Sequence, residues 1–351
     1  MSEHDDAVRM IRDSAAAVAP RGGDTRRVRA LRYHMPGFDP GVWREMCALG
    51  WLGLRLDEDR GGAGLGMRAF CALAEELGAG LVPEPLIHAA LAVPFLPGEV
   101  LEAALAGETL VLPAWQERAN SLASNEATLL RDGAVHGVKR FVPMADGADR
   151  FVVSTNAGLV LVRADAPGVA LETAGTQDGG HVGTLRLDGA AGVALAGELT
   201  EALEEAALAS AAYLLGVMDR AFALTLDYLK TRQQFGRPIG SFQALAHRAV
   251  DLHVQINLTR ASVEAAAASW DAGGALSARR AAVSRAKHRA NVAAMLVTRQ
   301  AIQLHGGIGN TDDYDAGLYL RKAMVVSAQY GNAALHRARF AALAPEETDD
   351  D

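Results

Sequence analysis

Tyr228-Leu-Lys-Thr-Arg232-Gln-Gln234-Phe235-Gly-Arg-Pro238-Ile-Gly-Ser-Phe242-Gln243 is the stretch on which the reading of this chain turns. An Ala/Leu-rich helical pattern, Ala206 to Thr231, runs into it, interrupted by Gly216. Phe235-Gly236 and Pro238 break the chain, and a new apolar periodicity runs from Phe242 to Trp270. Asp271-Ala-Gly-Gly274 closes that run. Ser277 to His305 and Leu318 to Leu343 follow with helical spacing. Long helical patterns joined by short connections predict a four-helix bundle over 199–345. Glu346-Glu-Thr-Asp-Asp-Asp351 reads as a solvated acidic tail over 346–351.

Upstream of the bundle the pattern is β-like. Thr109-Leu-Val-Leu112, Phe151-Val-Val-Ser-Thr155 and Leu159-Val-Leu-Val162 are short runs set between turn residues. Asp132-Gly133 predicts a hairpin turn between Ala127–Leu130 and Val135–Val138. This second unit spans 109–198. Residues 1–108 read as helices with glycine and proline breaks. A helix over Val42–Leu49 is closed by Gly50 and Gly53, and one over Met67–Leu77 ends at Gly78. The order is α–β–α, an α+β chain.

Composition narrows the function. The net charge is −8, with no basic stripe, which argues against nucleic acid. Cys47 and Cys71 lie in apolar helical patterns and read as buried thiols of a reducing compartment. The acidic start, Met1-Ser-Glu-His-Asp-Asp6, does not resemble a signal peptide, and no apolar run suggests a bilayer span. A cytoplasmic protein is expected. Gly61-Gly-Ala-Gly-Leu-Gly66 lacks the G-x-G-x-x-G spacing and reads as a turn between helices. His305-Gly306-Gly307 has no accompanying G-x-S-x-G, and the scattered histidines give no metal site. Arg232, Phe235 and Gln243 offer a cation, an aromatic ring and an amide. A flavin dinucleotide asks those things of its site for its pyrophosphate, ring systems and polar edges. The same residues also fit an ordinary turn between helices.

Arg232 to Gln243 resembles, almost residue for residue, the flavin-holding helix-turn segment of the acyl-CoA dehydrogenase family. Gln303-Leu-His-Gly-Gly-Ile-Gly309 is similar to its second FAD segment, with Gln303, Gly306 and Gly307 in matching places. Leu49–Leu54, Gly61–Gly66 and Glu75–Gly78 resemble its N-terminal domain. Gly137-Val-Lys-Arg-Phe141-Val-Pro-Met144 resembles the segment beside the isoalloxazine ring. The resemblance implies an N-terminal helical domain, a middle β-barrel domain and a C-terminal four-helix bundle. It implies FAD, held by Arg232, Gln234, Phe235, Gln243, Gln303, Gly306, Gly307, Phe141 and Met144, with a neighbouring subunit completing the site. The implied substrate is an acyl-CoA or acyl-carrier thioester. The implied reaction is α,β-dehydrogenation, in which a base removes the Cα proton and hydride leaves Cβ.

One departure bears on that reaction. The family's Glu-Gly-Thr reads Tyr330-Gly331-Asn332 here. A phenol of ordinary pKa about 10 is protonated at neutral pH and cannot serve as the base. Some members carry the glutamate on the first bundle helix, where this chain has Ala206. Glu204 and Glu205 precede that position and read as solvated. Asp313, in Thr311-Asp-Asp-Tyr-Asp315, matches an acidic residue of a short, actinobacterial sterol side-chain branch; the same aspartates also read as an exposed capping turn. The family's Thr-Glu-Pro gives way to Ala114-Trp115-Gln-Glu117. Two readings follow: a dehydrogenase with an unusual base, as a homodimer or homotetramer, or a partner subunit in a heterotetramer whose paralogue supplies the glutamate.

Overall fold

The structure is a computed structural model and describes residues 3–20, 23–124 and 127–343. The acidic tail lies outside them. The N-terminal region carries α1 (Glu3–Ala15), α2 (Arg26–Leu31), α3 (Pro40–Ala48), α4 (Met67–Ala79), α5 (Leu86–Ala92) and α6 (Gly98–Leu105). The middle unit carries β1 (Val111–Ala114), β2 (Leu129–Arg131), β3 (Ala134–Pro143), β4 (Arg150–Thr155), β5 (Gly158–Arg163), β6 (Val169–Gly175) and β7 (His181–Leu195). Then come α7 (Thr200–Thr231), a small hairpin of β8 (Gln233–Gln234) and β9 (Arg237–Pro238), α8 (Gln243–Asp271), α9 (Leu276–His305), α10 (Ala316–Val326) and α11 (Ala333–Leu343). The α–β–α order read from the sequence holds.

Strand order in the middle unit is β1-β4-β5-β7-β3-β2, with β6 also on β7. The long β7 is shared: its end at Leu195 pairs β5, and its start at His181 pairs β3 and β6. Asp132 (φ 50°) and Gly133 (φ 78°) make the expected β2–β3 turn with both central residues left-handed. The pairing of β3 with β7 slips between Lys139 and Val142. That irregularity puts Phe141 at φ 58° and leaves its ring half-exposed.

In the bundle, α7 is the central rod, packed on α4, α8, α9 and α10. Two expectations need correction here. Gly78 does not end α4, and Gly216 does not interrupt α7; both sit inside their helices where the two cross. A Cβ on Gly78 would lie 2.0 Å from the Tyr213 carbonyl oxygen, and one on Gly216 would lie 1.8 Å from that of Glu75. The glycines are there because the backbones touch. α7 is also long and apolar enough by length and composition to cross a membrane, contrary to the reading that no run suggests a span. Of that apolar stretch 78% is buried inside the protein, which accounts for its hydrophobicity. The start of α4 is capped from the bundle: Asp271 accepts from Met67 N at 2.5 Å and Arg68 N at 3.0 Å.

The fourth bundle helix is not continuous. It breaks between α10 and α11, with Tyr330 at φ 53° and Gly331 at φ 97°. Polar side chains take up the carbonyls freed by the break. Lys287 Nζ donates to Val326 O (3.1 Å), Asn291 Nδ2 to Gly331 O (3.2 Å), His288 Nδ1 to Ala333 O (2.8 Å) and His336 Nε2 to Tyr330 O (2.8 Å). The break therefore fixes the position that the sequence reading singled out.

Candidate active site

A cleft of about 1220 Å³ opens between the middle unit and the broken fourth helix. Its walls include Trp115, Phe141, Pro143, Met324, Ala328 and Tyr330, with Gln116, Asn120, Gln177 and Gln329 as polar groups. Among the described residues, no Asp, Glu or His lines it. Trp115 and Tyr330 lie nearly parallel, 12° apart with ring centroids at 6.3 Å, and give the cleft a flat aromatic wall. Such a slot suits a planar ring system. Pro143 has no backbone N–H to offer at that position. Met144, expected beside the same ring, is instead buried and faces an inner cavity behind the cleft.

Tyr330 is buried, and its hydroxyl donates to His88 Nδ1 at 2.5 Å. The two rings also stack, with centroids 5.6 Å apart. Accepting at Nδ1 requires an imidazole unprotonated there. Burial disfavours both charged forms. It pushes the Tyr330 phenol well above its ordinary pKa and, with Lys322 adding repulsion, takes His88 down to about 3. A Tyr–His pair acting as a base needs the phenol lowered or the imidazole raised, and burial moves each the other way. Burial therefore favours the neutral form of both groups.

The other acid candidates are elsewhere. Glu204 and Glu205 are not solvated, as the sequence suggested. Glu204 is buried and ion-paired to Arg280 and Arg339; Glu205 pairs with Arg55 and accepts from Trp270 Nε1 at 2.8 Å. Ala206 lines a separate hollow with Arg55 and Arg60, not the cleft. Asp315 stands at the N-cap of α10, but its side chain makes no capping hydrogen bond; Asp312 and Asp315 bind Arg32 and Arg29 of the N-terminal region, at 3.0 and 2.7 Å. Asp313 is exposed and does not line the cleft.

The remaining expected residues gather at the edge of the bundle. Arg232, Gln234, Gln303, Gly306 and Gly307 line one groove of about 1030 Å³, together with Tyr228, Ile239 and Arg248. Gly306 has φ 65°, and a Cβ on either glycine would meet nothing within 4 Å, so the backbone there is open to close approach. The donor set is cationic and amide, with no carboxylate, which fits the diphosphate of FAD. Phe235 stands beside the groove, 90% exposed, edge-on to Phe242; Gln243 is exposed at the start of α8. Sequence reasoning missed His88, whose partner is 242 positions away along the chain. It also missed Arg248, although its place shortly after Gln243 at the start of α8 was a usable signal.

Comparison with known proteins fits this architecture. The model described as "Acyl-CoA dehydrogenase, N-terminal domain" matches residues 5–96, and "Acyl-CoA dehydrogenase, C-terminal domain" matches 197–343. The chain is 34% identical to the acyl-CoA dehydrogenase IpdE2 of Mycobacterium tuberculosis, covering 90% of each protein. The chain belongs to the acyl-CoA dehydrogenase family. It is thus a member of a family of FAD-dependent flavin oxidoreductases. IpdE2 of Mycolicibacterium smegmatis is 32% identical over 90% of this chain and 91% of its own length. Among solved structures, the Tcur3481-Tcur3483 steroid acyl-CoA dehydrogenase superposes with TM-score 0.87 at 30% identity, over 97% of this chain and 98% of that one. The ChsE4-ChsE5 complex of M. tuberculosis does so with TM-score 0.84 at 25% identity, over 97% of each chain. This chain also matches 48% of the length of M. tuberculosis FadE34, at 30% identity.

Proposed function

We propose that this acyl-CoA dehydrogenase family member is one subunit of a mixed FAD-dependent dehydrogenase, whose partner is a paralogue carrying the catalytic glutamate. The cleft carries the argument: among the described residues its lining has no carboxylate or imidazole, and the base position holds a buried tyrosine bonded to a neutral histidine. FAD, when bound, supplies the hydride acceptor. This chain's residues bind and orient. Trp115, Phe141 and Tyr330 give an aromatic wall that excludes water. Arg232, Gln234, Gln303 and the Gly306-Gly307 backbone present cations and amides at the bundle edge, facing outward as a site completed by a neighbour requires. Phe235 and Gln243 stand ready beside it.

Similar proteins support the mixed assembly. The two related structures are each titled as a pair of proteins, and FadE34 has room for about as many residues again beyond the matched part. The likeness to a steroid acyl-CoA dehydrogenase supports a lipid substrate, the thioester of a sterol-derived acyl group. A cytoplasmic location goes with this reading. Purification with and without the paralogue tests it. The pair should be yellow and reduce its flavin with an acyl-CoA under anaerobic conditions, and the chain alone should not. An isolated chain that turns over as fast as the pair overturns the proposal.

A further inference from the structure

The groove at the bundle edge holds a second cation that the flavin reading leaves unused. Arg248 on α8 lines the same groove as Arg232, the residue that ends α7. Both are exposed, and among the described residues neither makes an ion pair or a side-chain hydrogen bond. Among the described residues, no Asp or Glu lines the groove. The molecule carries 42 acidic against 34 basic residues and neutralises many of its arginines internally. Two guanidinium groups that share a concave surface with no carboxylate among its described lining residues make a surface that favours an anion. A single phosphate group would satisfy one fork; two forks match the two phosphates of a diphosphate.

We infer that Arg248 is a binding residue, and that it forms with Arg232 a two-cation clamp for the diphosphate of a nucleotide cofactor. The inference rests on the reading of this groove as a flavin edge. The diphosphate could belong to FAD or to coenzyme A, which carry the same group; the test separates them. Arg237 serves as the control cation. It lies on the neighbouring hairpin, stacked 4.1 Å over the Phe242 ring, and does not line the groove.

The experiment uses the chain purified together with its paralogue. FAD affinity is measured by fluorescence at several KCl concentrations, and affinity for free coenzyme A by calorimetry, for Arg248→Gln, Arg248→Lys, Arg232→Gln and Arg237→Gln. Arg248→Gln should weaken FAD by about tenfold to a hundredfold, the range of one charge-assisted hydrogen bond. It should also flatten the salt dependence, because a screened charge pair is gone. Arg248→Lys should recover part of the loss, Arg237→Gln should do nothing, and coenzyme A affinity should not move. If Arg232→Gln weakens FAD and Arg248→Gln does not, the clamp is refuted while the flavin edge stands. If neither weakens FAD, the flavin reading of the groove falls with it. Loss of coenzyme A affinity instead of FAD affinity would refute the FAD assignment and give the clamp to the thioester's nucleotide. Arg248 is exposed, so an unchanged melting temperature will separate binding loss from misfolding.

Discussion

At the scale of a single residue, the proposal rests on Tyr330. Its backbone is left-handed and its carbonyl is held by His336, so whatever side chain stands there is placed by the fold. Tyr330→Glu should therefore put a carboxyl at the cleft wall, in surroundings that raise its pKa toward a useful value. General-base help is worth about 10²–10⁴ in rate, and flavin reduction by an acyl-CoA should rise by that order. No rise, in protein that still holds flavin, would place the substrate elsewhere. His88 makes a second prediction. Its folded pKa, about 3, lies below the ordinary value near 6.5. As pH falls through that window the unfolded chain takes up a proton that the folded chain refuses, so stability drops by up to about 1.4 kcal/mol per pH unit. His88→Gln should remove one proton's worth of that slope between pH 6.5 and 3, measured by denaturant titration at each pH; an unchanged slope would mean His88 is not buried neutral.

The elements show why some of this was legible and some was not. Helix and strand periods, the Asp132-Gly133 turn and the flavin-edge motifs are local, and the chain states them directly. Gly78 and Gly216 look identical to helix breakers in sequence. Their meaning is a crossing between α4 and α7, which no single segment contains. The broken fourth helix was read as continuous because Tyr330 and Asn332 carry no strong stop signal beyond Gly331; the donors that hold the break open sit on α9 and α11. Likewise Glu204 looks solvated until Arg280 and Arg339 arrive from two other helices. Gly216→Ala should destabilise the protein by about 1–3 kcal/mol or more, since the added methyl meets backbone rather than a movable side chain. A melting temperature equal to that of the unaltered protein would refute the close crossing.

At the scale of the whole molecule, the outward features collect on the bundle. Phe235 is almost fully exposed, and Val250, Val254 and Leu258 form an exposed apolar stripe on α8 at helical spacing. The groove with Arg232 lies at the start of the same helix. Such a face belongs against another chain. Light scattering at micromolar concentration should find dimers or larger assemblies once the paralogue is present; a persistent monomer would contradict the shared flavin site.

The proposal that this chain lacks a working base is tested most directly on its own cleft. The unaltered chain is assembled with a paralogue whose catalytic glutamate has been changed to glutamine, loaded with FAD, and mixed anaerobically with a saturating acyl-CoA while flavin absorbance is followed. The account predicts no bleaching beyond the slow background. Rapid bleaching, abolished by Asp313→Asn with flavin retained, would contradict it and make this chain an enzyme with a base of its own.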